Sequence, residues 1–195
     1  KETIIKKKEN IKLNKFHEKN YYFAAGRLTK QKNFLFLCKV FKEILFTYPN
    51  LKLVIAGDGE EKNKLKLLTK ELGIEEQVIF INKSEEQLKV SLIKNSNLFL
   101  MPSIIYKNSV EGFGISFIEA ASYGIGSIGG KDGGAEDAIK NEETGLLCDG
   151  QDISSIYDKI NKFFNNENYK KFGINALKFS EKFKWNKIIK QYLSL

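Results

Sequence analysis

The strongest constraint on this chain is a repeated alternation of short apolar runs with amphipathic stretches. Runs over 21–25, 51–56, 78–81, 97–101, 124–128 and 145–147 have strand length, and several stop at a loop former: Gly26, Gly57-Asp58-Gly59 or Pro102. Between the first two, Phe34, Leu37, Cys38, Phe41, Ile44 and Leu45 recur at spacings of three and four, which predicts a helix over 34–46 ended by Pro49-Asn50. A charged helix over 60–72 is closed by Gly73. Ser84-Glu85-Glu86-Gln87 reads as a capping box opening the next helix. Further helices are predicted over 113–123 and from Gly133-Gly134 to 139, and the chain from 153 onward reads as helical, divided near 165–168 and 183–185. Six such alternations predict an α/β fold, a doubly wound parallel sheet with a helical C-terminal tail. In such sheets ligands bind at the carboxyl ends of the strands. Chemistry is therefore sought in the loops 26–33, 57–60, 82–84, 102–114 and 129–134.

Composition narrows the classes. With 195 residues, 42% hydrophobic and 12% aromatic, the chain can bury a substantial core. No apolar run approaches the roughly 20 residues of a membrane-spanning helix. The net charge of +8 is uneven. Residues 1–20 carry seven Lys and three Glu, residues 159–195 nine Lys and two Glu, and the middle is slightly acidic. Basic ends on an acidic centre argue against nucleic acid as the partner and suit a solvated surface or peripheral contact with an anionic membrane. Residues 1–20 read as a linker or leading arm and 21–195 as one domain. The chain opens on Lys1 without a signal-peptide pattern and is expected to be a piece of a longer, cytoplasmic protein. Cys38 and Cys148 lack any motif partner, and His17 is the only His, so neither a zinc motif nor a Ser-His-Asp triad is available.

Four loops hold candidate chemistry. In Gly26-Arg27-Leu28-Thr29-Lys30-Gln31-Lys32, Arg27 is the only Arg of the chain. Arg27 and Lys32 can converge with a helix N-terminus on a phosphate, offering a planar fork, a point charge and free N–H groups; Lys30 reads as a plain surface lysine. Gly57-Asp58-Gly59 lacks the third Gly of a dinucleotide fingerprint, Lys62 standing in its place, and reads as a tight turn. The segment Val110 to Glu119 sets two carboxylates eight apart, Glu111 before a helix and Glu119 in its second turn. Gly112 and Gly114, flanking Phe113, let backbone approach a ligand. The plainer alternative is one solvated and one satisfied glutamate. Gly129-Gly130-Lys131-Asp132-Gly133-Gly134 is either an anion-binding nest or a flexible loop. No Asp-x-Asp is present to clamp a divalent metal.

Taken in order, Gly26-Arg27-Leu28 with Lys32, Leu53 to Gly59, Met101-Pro102-Ser103, Glu111-Gly112-Phe113-Gly114 with Glu119-Ala120, Gly133-Gly134 and Thr144-Gly145-Leu146-Leu147 resemble the C-terminal donor-binding domain of group 1 (family 4) retaining glycosyltransferases of GT-B fold. Phe183-Lys184-Trp185 resembles that family's Phe-x-Trp helix start. The likeness spans about residues 21–190. It implies a UDP- or GDP-sugar donor, a glycan or lipid-linked acceptor, an N-terminal acceptor domain outside this chain, and no cofactor or metal. It further implies that Arg27 and Lys32 hold the diphosphate, that Glu119 takes the ribose hydroxyls, and that Glu111 with the Gly112–Gly114 backbone meets the sugar. Gly26, Gly133 and Gly134 would also approach the donor. Retention would follow from front-face attack guided by the leaving phosphate. The sequence departs from the family in three places: Gly126 for a common Pro, Asn33 for a common Gly and Asp137 for a common Glu. A nucleotide-sugar module without catalysis, or a basic nucleic-acid or membrane-surface protein, are the competing readings.

Overall fold

The computed structural model describes residues 21–82 and 86–193. The expected linker over 1–20 and the Ser84 cap lie outside the described residues.

Six strands form one parallel sheet in the order β3-β2-β1-β4-β5-β6. They are β1 (Tyr21–Ala25), β2 (Lys52–Ala56), β3 (Val78–Ile81), β4 (Leu98–Met101), β5 (Ser127–Gly130) and β6 (Gly145–Cys148). The helices are α1 (Phe34–Thr47), α2 (Lys62–Glu71), α3 (Glu86–Lys94), α4 (Ile115–Ser122), α5 (Ala135–Ala138), α6 (Ile153–Phe164), α7 (Asn168–Ser180) and α8 (Trp185–Leu193). Strand residues alternate between two apolar layers. Tyr22, Ala24, Leu53, Ile55, Leu98, Leu100 and Ile128 face α1, α2 and α6 through Leu37, Phe41, Leu65, Ile156 and Phe163. Tyr21, Phe23, Val54, Phe99 and Met101 face α3, α4 and α5 through Leu92, Ile93, Phe117, Ala120 and Ala135. Because both faces are covered, the strands read as continuous apolar runs. The chain runs outward from β1 to β3, crosses back to β4 beside β1, and runs outward again. The crevice at the carboxyl ends of β1 and β4 is thus the point where the strand order reverses, the usual ligand position in such sheets.

The fifth strand differs from expectation. It begins at Ser127 rather than 124 and takes in Gly129 and Gly130, which the sequence assigned to a loop. Gly124, at φ +72°, ends α4 instead. A Cβ at Gly129 would lie 2.8 Å from the Ile139 side chain, and one at Gly130 would lie 1.8 Å from the Ser103 carbonyl oxygen. These two glycines serve close packing, so the expected nest reduces to the turn at 131–134. The Gly126 departure has a similar cause: a Cβ there already comes within 2.8 Å of Phe163, and a proline ring has no room.

Candidate functional site

The loop after β1 is built on glycines of its neighbour. A Cβ at Gly57 would lie 1.9 Å from the Gly26 carbonyl oxygen, and one at Gly59 would lie 2.5 Å from that of Leu28. The two loops are laced by Leu28 N–H to Asp58 O at 2.9 Å and Glu61 N–H to Leu28 O at 3.0 Å. Leu28 is fully buried beneath them. The Gly57-Asp58-Gly59 turn therefore supports the loop that carries Arg27. Hydrogen bonds from Lys62 and the Gly59 N–H hold the Asp58 carboxyl below its ordinary value.

Past Leu28, one 3-10 turn (Lys30–Lys32) leads into Asn33, left-handed at φ +59°. Asn is among the few side chains that tolerate that conformation. The buried Asn33 amide donates to the carbonyls of Pro102 at 3.2 Å and Gly150 at 2.5 Å. Asn33 thus replaces the expected glycine and ties the β1 loop to the β4 loop. Lys30 is exposed and donates to the Tyr106 hydroxyl at 3.2 Å, a hydrogen bond that raises its pKa. Its reading as a surface lysine fits this position.

Across the crevice stands Glu111. Its Oε2 accepts from Lys32 Nζ in a nearly buried ion pair and from the Ser103 hydroxyl at 3.3 Å. The Glu111 loop is seated on Gly133-Gly134. Gly134 N–H donates to Glu111 O at 2.9 Å, and a Cβ at Gly134 would lie 1.5 Å from the Gly112 carbonyl oxygen. The Gly134 amide is therefore committed to the protein and is not one of the N–H groups that an anion nest over 129–134 could offer. Gly112 is exposed, and a Cβ there would meet nothing within 4 Å. Gly114, left-handed at φ +79°, begins α4, and no side chain caps that end. By contrast α6 is capped by Asp152, whose carboxylate accepts from Ser154 N–H. The free N–H groups of α4 lie at the carboxyl end of β4 and suit an anion.

The structure brings Lys32, Glu111, Gly133 and Gly134 together, while Arg27 shares the β1 loop with Lys32 and Glu119 follows in α4. Arg27 is exposed on the β1 loop and makes no ion pair with another described residue. Phe113 is half-buried and turns its ring onto Phe183, centroid to centroid 5.4 Å. Glu119 sits on α4 and pairs with Lys89 of α3 at 2.6 Å. The stretch between Glu111 and Glu119 is helical only from Ile115 onward. Sequence reasoning missed Lys89, one more lysine among many. Ser103 stands within Met101-Pro102-Ser103, where nothing in the sequence marks it for a role. Burial pushes both cysteine thiols up to about 12, which removes them as nucleophiles. Among the described residues no three His, Cys, Asp or Glu side chains cluster as metal ligands. An open groove of about 400 Å³, bordered by Asn97, Gly126 and Ile174, lies at the opposite, amino-terminal edge of β4 and β5.

A family model described as glycosyl transferases group 1 matches residues 5–179. The chain belongs to the group 1 glycosyl transferases. This glycosyl transferase domain is 34% identical over 184 residues to an uncharacterized glycosyltransferase of Methanocaldococcus jannaschii, covering 94% of this chain and 39% of that protein. The chain spans about a third to a half of the length of the curated relatives it matches. Its fold is that of GT-B enzymes. The pneumococcal O-GlcNAc transferase GtfA, solved with UDP and GlcNAc, superposes with TM-score 0.79 at 20% identity over 91% of this chain and 35% of that one. The C-terminal domain of a group 1 glycosyl transferase (LpcC) from Francisella tularensis superposes with TM-score 0.74 at 22% identity, covering 88% of this chain and 89% of that domain. Among the described residues no helix of the glycosyl transferase domain is long and apolar enough to cross a membrane.

Proposed function

We propose that this chain is the donor-binding half of a glycosyltransferase that takes a nucleoside-diphosphate sugar, UDP- or GDP-linked, and transfers the sugar to a glycan or lipid-linked acceptor. One observation carries the reading. The loops after β1 and β4 meet where the strand order reverses, one bringing Arg27 and Lys32, the other Glu111 and the uncapped end of α4.

Arg27 offers a planar fork to the diphosphate, and it makes no ion pair with another described residue, which suits that use. Lys32 has three N–H donors and spends one on Glu111, so others remain for a phosphate oxygen. When the bond from the sugar to the β-phosphate breaks, negative charge grows on the leaving diphosphate. Arg27, Lys32 and the N–H groups of α4 oppose that charge, so they stabilise the transition state more than the bound donor. Glu111 holds Lys32 and Ser103 through Oε2. Its Oε1 is left to accept from a sugar hydroxyl, with the Gly112–Gly114 backbone alongside. Transfer is proposed to retain configuration through front-face attack guided by the leaving phosphate, without a metal. Acceptor binding is assigned to the rest of the longer protein. The lysine-rich stretch 159–195 would favour the inner face of an anionic membrane.

Calorimetric titration with UDP, GDP and ADP tests the donor site. One nucleotide is expected to bind saturably and to keep binding in EDTA. Arg27→Ala should weaken that nucleotide by about 1–3 kcal/mol and the bare nucleoside little. Equal losses for nucleotide and nucleoside would refute the diphosphate role. Binding abolished by EDTA would refute the metal-free donor.

A further inference from the structure

Glu119 is not a free carboxylate. Lys89 Nζ lies 2.6 Å from its Oε2 across 30 residues of sequence. Both partners ride on anchored helices. In α3, Leu92 and Ile93 are buried, and the Leu92 carbonyl accepts from the Tyr21 hydroxyl at 2.5 Å. In α4, Phe117 and Ala120 are buried in the same apolar layer. Further along, Lys94 lies over the Tyr123 ring at 4.8 Å. The two cross-helix contacts advance in the same sense along α3 and α4, and Lys89 stands opposite Glu119. The Lys89 and Glu119 side chains keep 25% and 33% of their exposure, so the pair is open to a ligand.

We infer that Lys89 is a positioning residue for Glu119 and sets the preference of the site for ribose over deoxyribose. The inference rests on the donor reading above, with Glu119 taken as the ribose acceptor that the family resemblance implies. Lys89 fixes Oε2, which removes side-chain freedom from the glutamate before a ligand arrives. Oε1 makes no hydrogen bond to another described residue and is left to accept from a ribose hydroxyl. Without Lys89 the carboxylate is free to rotate into solvent, and the hydroxyl loses a prepared acceptor. The loss falls on ligands that carry the hydroxyl, not on the diphosphate.

The test titrates the protein and its Lys89→Met, Lys89→Arg and Glu119→Gln variants with UDP, GDP and ADP, each beside its 2′,3′-dideoxy counterpart. The unaltered protein should prefer the ribonucleotide by roughly tenfold, the scale of one hydrogen bond to a charged group. Lys89→Met should lose most of that preference while binding the dideoxy ligand unchanged. Lys89→Arg should keep it, and Glu119→Gln should reduce it. A Lys89→Met variant that retains the full preference would overturn the inference while leaving the donor reading intact. Equal binding of both ligands by the unaltered protein would remove the ribose role of Glu119 and the inference with it, but not the diphosphate site. No binding of any nucleoside diphosphate would count against the donor reading itself.

Discussion

Glu111 and Glu119 lie eight residues apart, and each is met by a lysine, yet they sit in different physical regimes. Glu111 lies on an irregular loop wedged over Gly134, with a side chain 10% exposed beside a Lys32 that is 16% exposed. Glu119 projects from a regular helix and stays a third exposed. A pair withdrawn from water depends on both members, because removing one strands the other charge. A solvated pair contributes little to stability, since water replaces either partner. The first carboxylate is therefore expected to matter for stability as well as for the proposed donor site, while the second is expected to register mainly in binding.

The comparison breaks first at the seat of the Glu111 loop. Gly134→Ala drives a Cβ against the Gly112 carbonyl and should cost about 4 kcal/mol, visible as a large drop in Tm. A near-neutral result would mean that the loop can lift, and that Glu111 is held no more firmly than Glu119. Next comes Lys32→Met, which leaves the Glu111 carboxylate with Ser103 as its one side-chain partner among the described residues. It should destabilise by about 3 kcal/mol, and adding Glu111→Gln should restore most of the loss. Denaturant unfolding of the single and double variants measures the difference. Lys89→Met, the matching change at the other pair, should cost at most about 1 kcal/mol. If Lys89→Met proves as costly as Lys32→Met, the distinction between the regimes fails. Arg27→Ala should leave Tm unchanged, because the side chain is exposed and no ion pair to a described residue is lost.

Much of the frame was legible because periodicity reports burial directly. The runs at 21–25 and 78–81 coincide with β1 and β3, and the helix breaks near 165–168 and 183–185 fall where α6, α7 and α8 separate. The fifth strand was misplaced because Gly129 and Gly130 resemble a loop by composition. Their small size instead admits Ile139 and the Ser103 carbonyl against the strand. The same ambiguity left 129–134 open between an anion nest and a flexible loop, and the sequence could not show that Gly134 seats a neighbouring loop.

By itself the sequence determined the layer order, the family and the loops in which to look. Those depend on local period, chain punctuation and the spacing of residues such as Arg27, Lys32 and Glu111. Tertiary structure alone decided which lysine meets which carboxylate. Lys32 and Glu111 are 79 residues apart, and Lys89 and Glu119 are 30 apart. In a chain with 32 basic side chains no local pattern singles out either lysine. Only the reversal of strand order at β1 and β4 places Lys32 across from Glu111, and only the shared apolar layer beneath α3 and α4 aligns Lys89 with Glu119.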